Sequence, residues 1–108
     1  MRYINDRLEQ RLEVDFPISV ICMDGSGQCR ARNLSSGGVQ LHRCSGTLKQ
    51  GEDLELTLWL PKTRDSIRCA GNVVYERRTV AGLCFEHMPR RGQAAIDAFI
   101  EAMLSDES

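Results

Sequence analysis

The two histidines of this chain, His42 and His87, fall in different strand-like segments, and neither lies in a nucleophile elbow or an H-E-x-x-H pair. There is no Walker A loop and no G-x-G-x-x-G opening a helix. Paired carboxylates such as Glu52-Asp53 sit in a polar turn, where nothing raises a pKa toward that of a general acid. The five cysteines, Cys22, Cys29, Cys44, Cys69 and Cys84, contain no C-x-x-C pair and no histidine at zinc-finger spacing, so no metal site is expected. Cys22, Cys69 and Cys84 fall inside apolar alternations, and the expectation is buried, reduced thiols acting as small hydrophobes in a cytoplasmic protein. These residues do not support an enzyme.

Two other groupings can bind rather than react. Arg7-x-x-x-Arg11 lets two guanidinium forks converge on one ligand, from a helical turn or from an extended arm. Asn33-x-Ser35-x-x-Gly38 places an amide, a hydroxyl and a glycine turn between two strands, where they can meet a base edge while the backbone comes close. Each also has a plain reading. The arginines suit a solvated arm with Asp6 or Glu9 as partners, and the second run suits an Asx or Ser turn.

The elements that must position these residues read as strands and one helix. Residues 1 to 11 form a polar arm. Leu12, Val14, Phe16, Ile18, Val20 and Cys22 then repeat with period two, predicting a long half-buried strand, with Pro17 marking an edge or a bulge. Asp24-Gly25-Ser26-Gly27 supplies a hairpin turn before a second arm over 28 to 32. Asn33 to Gly38 reads as a turn, Val39 to His42 as a short strand, and Leu54, Leu56, Leu58 and Leu60 as one face of a core strand. Residues 66 to 76 place Ile67, Cys69, Gly71, Val73 and Tyr75 on one face, and residues 80 to 87 make the last strand. The period then lengthens to 3.6, with Ile96, Phe99, Ile100, Met103 and Leu104 forming a helical stripe after Pro89 and Gly92. The expected fold is mainly β, a six-stranded antiparallel β-barrel of split-barrel type over residues 12 to 87, with a C-terminal α-helix over 90 to 105. The chain reads as one domain, residues 1 to 108.

Composition limits the partners. Leu, Ile, Val and Phe supply 26 of 108 residues, enough for a folded core. No apolar stretch approaches the ~18 residues of a membrane-spanning helix, and the N-terminus is polar, so neither membrane insertion nor secretion is expected. Net charge is −1, with 14 basic and 15 acidic residues and few aromatics, which disfavours a nucleic acid polymer as partner. Twelve of the basic residues are Arg, a skew that codon usage explains, so weight rests only on arginines placed in a motif.

Taken together, Arg7-x-x-x-Arg11 before the first long strand, Asn33-Leu34-Ser35-Ser36-Gly37-Gly38-Val39 one hairpin later, and the pair Gly71-Asn72-Val73-Val74-Tyr75 and Gly82-Leu83-Cys84-Phe85 resemble the PilZ domain family across almost the whole chain. The resemblance implies a receptor for the bacterial second messenger cyclic di-GMP, with no cofactor and no metal. It assigns the phosphates and guanine to Arg7 and Arg11, guanine and neighbouring backbone to Asn33 and Ser35, and close approach to Gly38. Tyr75 and Arg32 are second-tier candidates, and Arg2 could add charge at the same mouth. It further implies that the arm closes over the barrel on binding and so regulates an unidentified effector protein in the cytoplasm, in processes such as motility or biofilm formation. The alternative is a PilZ-like protein-protein adaptor that needs no ligand. Two features depart from the pattern. Asn33 stands where Asp is the common alternative, and Asp6 rather than Arg precedes the first motif.

Overall fold

The computed structural model describes residues 11–22, 25–42, 48–63 and 66–106. Among these, six strands and one helix run in the order β1 (Leu12–Cys22), β2 (Gly25–Leu34), β3 (Gly38–His42), β4 (Asp53–Trp59), β5 (Ser66–Arg77), β6 (Val80–Phe85) and α1 (Arg90–Asp106). The strands close into a barrel in the order β1-β2-β3-β6-β5-β4, all neighbours antiparallel, with β1 pairing back onto β4 through Ile18↔Leu58 and Val20↔Leu56. Closure leaves no unpaired sheet edge.

The interior is filled by the residues that alternation assigns to it, Phe16, Ile18, Leu41, Leu56, Leu58 and Val73 being almost fully buried, and by Leu34, a residue of the expected turn. Ile96 and Ile100 bring the apolar stripe of α1 onto this core, and Phe99, Met103 and Leu104 pack partly against it. Gly92 lies in the first turns of α1, as the expected helix bounds place it, and a Cβ there would press on Ile67 and Met88. Arg90 and Arg91 occupy the first turn and the helix lacks an acidic residue there, so packing rather than the helix dipole fixes its start.

Three β-bulges depart from the strict period of two. In β1 the register slips between Glu13 and Phe16, in β2 between Ala31 and Asn33, and in β5 between Val73 and Tyr75. Each adds a residue that has no cross-strand partner, and the side chains beyond it change face. The β2 bulge, at Arg32, turns Leu34 into the core and extends the strand through Asn33 and Leu34, so the loop is only Ser35 to Gly37. The β5 bulge, at Val74, overturns the expectation that Tyr75 shares the face of Val73: Val73 is fully buried and Tyr75 is 42% exposed. The first hairpin is tighter than expected, since Cys22 pairs directly with Gly25. Pro17 pairs with Arg30 on one side and lies just beyond the β1–β4 ladder on the other, so it sits where β1 has a single partner, the edge position expected of it, and the bulge falls a few residues earlier. Arg30 braces that bulge: its guanidinium donates to the Asp15 carboxylate at 2.8 Å and to the Asp15 carbonyl at 3.3 Å.

Cys22, Cys69 and Cys84 are free thiols as expected, with Cys69 buried and the other two half-buried, whereas Cys29 is disulfide-bonded. Alternation records that a thiol faces inward and carries no information about a second sulfur opposite it. Among the described residues no group of His, Cys, Asp and Glu could hold a metal ion, and no helix is long and apolar enough to cross a membrane.

Candidate functional site

The site is built on one cross-strand row. Register places Asn33 of β2 opposite Gln40 of β3, Gln40 opposite Gly82 of β6, and Gly82 opposite Tyr75 of β5. Both bulges next to this row matter to it, because without them Asn33 and Tyr75 would point into the core. Gly82 supplies the gap that the row needs. A Cβ at that position would run into the Tyr75 ring, so the ring lies flat over the glycine and its hydroxyl reaches Gln40.

Side chains along the row are tied together. Gln40 Nε2 donates to Tyr75 Oη at 2.8 Å, Asn33 Nδ2 donates to Gln40 Oε1 at 2.7 Å, and His42 Nε2 lies 3.1 Å from the same oxygen. The loop above the row is equally fixed. Ser35 is only 9% exposed; its N–H donates to the Gly38 carbonyl at 2.9 Å and its hydroxyl lies 3.4 Å from the same oxygen. The Phe85 N–H donates to the Gly37 carbonyl at 2.8 Å, and Gln93 of α1 donates to the Ser36 carbonyl at 2.9 Å and to its hydroxyl at 3.0 Å. At Gly38 a side chain would collide with the Leu83 carbonyl, so the glycine is demanded by the β3–β6 approach.

Row and loop enclose an open cleft of about 250 Å³. Arg11, Asn33, Ser35, Gly38 and Tyr75 all line it, together with Gln40, Val74 and Gly82. Arg11 is the one charged residue among the described residues lining it, so the cleft is positive and suited to an anion. Tyr75, exposed on one face, offers an aromatic platform, and Val74, 46% exposed, adds apolar surface beside it. A second cleft of about 510 Å³ shares Asn33 and Gln40 as a wall and is lined by Arg32, His42, Lys62, Phe99 and Met103 among others. Arg32 therefore belongs to the neighbouring cleft, because as the bulged residue it projects away from the row. Arg7 and Arg2 lie outside the described residues.

The sequence matches the PilZ domain family over residues 5–102. The chain belongs to that family. Solved structures of PilZ proteins share the fold. The inhibitor of motility from Bacillus subtilis (MotI/DgrA) superposes with a TM-score of 0.78 at 18% identity, over 94% of this chain and 53% of the other, so this chain spans about half its length. The PilZ domain of CeSA from a cellulose-synthesizing bacterium gives 0.67 at 11% identity, over 87% and 97% of the two chains. The PlzA protein of Borreliella burgdorferi, solved in complex with c-di-GMP, gives 0.66 at 16% identity, over 88% and 41%. No curated protein matches the sequence.

Two residues of this cleft escape a motif-based reading. Gln40 shares the outward parity of Gly38 and His42 on a short strand, and the hairpin register sets it against Asn33; that parity is the signal which could have found it. Gly82 is legible only once Tyr75 is known to face outward.

Proposed function

We propose that this PilZ domain is a cyclic di-GMP receptor. The observation that carries the reading is the convergence on one positive cleft of Arg11, from the first motif, with Asn33, Ser35 and Gly38 from the second. Guanine presents donors at N1 and N2 and acceptors at O6 and N7, and an Arg fork fits O6 and N7 as well as a phosphate. Asn33 supplies the acceptor for the donor edge, Ser35 holds the loop whose backbone lines the cleft, and the Tyr75 face takes a base or ribose. At about 250 Å³ the cleft is smaller than the roughly 300–1,000 Å³ of sites that enclose a whole small ligand, so part of the ligand stays uncovered by the barrel. In this reading the arm, residues 1 to 11, closes over that part and brings Arg7 beside Arg11, which changes the surface offered to an effector protein.

Isothermal titration with cyclic di-GMP, with GTP and cyclic AMP as controls, tests the reading. Saturable binding is expected, lost in Arg7→Ala/Arg11→Ala and in Asn33→Ala. Absence of binding by the wild type would replace the receptor with a ligand-independent adaptor. Hydrogen exchange tests the arm separately: ligand should slow exchange over residues 1 to 11, and unchanged exchange there would remove the arm from the mechanism.

A further inference from the structure

We propose that Gln40 is the positioning residue that turns Asn33 into a hydrogen-bond acceptor and thereby selects guanine over adenine; this rests on the cyclic di-GMP reading above. An asparagine amide is ambiguous, since its two ends differ only in carrying an acceptor oxygen or a donor NH2. Whichever end faces the ligand decides which base edge is satisfied. Guanine shows donors N1–H and N2–H2 and needs the oxygen. Adenine shows an unprotonated N1 and would pair with the NH2.

The row across the barrel resolves the ambiguity. Gln40 Nε2 donates to Tyr75 Oη at 2.8 Å, and the other end of the same amide, Oε1, faces Asn33. That oxygen accepts from the Asn33 NH2 at 2.7 Å, and His42 Nε2 stands 3.1 Å from it. With one N–H of its NH2 given to Gln40, the Asn33 amide is held nitrogen end toward Gln40, and its oxygen lies at the other end to meet a donor. The chain of contacts therefore runs from Tyr75, seated on Gly82, through Gln40 to Asn33, and every member lines the same cleft. A carboxylate at position 33 would have no wrong end to present, so the device is needed because residue 33 is Asn.

The test compares affinities for cyclic di-GMP and cyclic di-AMP in the wild type, Gln40→Leu, Asn33→Asp and the double variant. Losing one neutral hydrogen bond that orients a contact is worth about tenfold in affinity. Gln40→Leu is expected to lower the preference for cyclic di-GMP by about that factor, while in the Asn33→Asp background the same substitution leaves the preference unchanged. In the ligand-free protein, the side-chain amide protons of Asn33 should resonate well apart in the wild type and draw together in Gln40→Leu. An unaltered preference in Gln40→Leu, or an equal loss in both backgrounds, would overturn the proposal and leave the receptor reading intact. Failure of the wild type to bind cyclic di-GMP would overturn both.

Discussion

At the scale of single residues, the contrast is between side chains whose place follows from their type and those whose place follows from a neighbour. Asn33 and Ser35 can be picked out by type and spacing. Gln40 is an ordinary outward residue until the register sets it between Asn33 and Tyr75. Cys69 belongs to the first kind, and it makes a clear pH prediction. It faces the core of β5, and burial pushes its thiol from 9.0 up to about 11. The folded state therefore holds the thiol proton over a range in which the unfolded chain has released it, and stability falls as pH rises through that window. Each tenfold in proton affinity is worth about 1.4 kcal/mol, so this group alone removes about 2–3 kcal/mol between pH 9 and 11. Urea unfolding at pH 8 and pH 10.5 checks this: Cys69→Ala should lose less stability over the interval than the wild type, and parallel losses would show that other groups govern alkaline unfolding.

At the scale of elements, the strands are legible wherever the period of two is kept and misleading wherever a bulge breaks it. Leu54, Leu56, Leu58 and Leu60 alternate without interruption and all four are buried as their pattern requires. Tyr75 continues the apolar parity of Val73 in sequence, yet the extra residue at Val74 puts it outside, because a one-residue slip exchanges the two faces. Nothing in the residue types marks that slip; it comes from the pairing of β5 with β6. The same holds at Arg32, where the slip lengthens β2 and frees Asn33 for the cleft. So the barrel and its helix can be read from pattern, and the site can be read only as far as its motifs. Gly82 gives these slips an experimental handle. Gly82→Ala places a methyl group where the Tyr75 ring lies, and the ring must leave its bond to Gln40. Overpacking of this kind costs about 1–3 kcal/mol, so a lowered urea midpoint is expected together with weaker cyclic di-GMP binding. Wild-type affinity in this variant would mean that the seated ring is dispensable to the site.

At the scale of the whole molecule, the cleft is part of the barrel wall, and its loop is tied to the helix. Asn33, Gln40, Gly82 and Tyr75 come from four different strands of the closed sheet, so they keep their spacing only while the sheet is intact. Gln93 joins Ser36 of the loop to α1, whose Ile96 and Ile100 are seated in the core. A ligand held by this row is therefore held by the folded molecule as a unit and has nothing comparable to grip in the unfolded chain. Linkage then converts affinity into stability: at 100 times its dissociation constant a ligand adds about 2.7 kcal/mol. For a domain of this size about 1 kcal/mol moves the melting temperature by roughly 4–8 °C, so cyclic di-GMP should raise it by at least about ten degrees. Because every cross-strand member contributes, the rise should vanish in Asn33→Ala and shrink in Gln40→Leu, and it should fall with added salt if phosphate contacts to Arg11 contribute. A ligand that binds in titration yet leaves the melting temperature unchanged would have to bind the unfolded chain equally well, which a site assembled from four strands forbids; that result would move the binding site off the barrel.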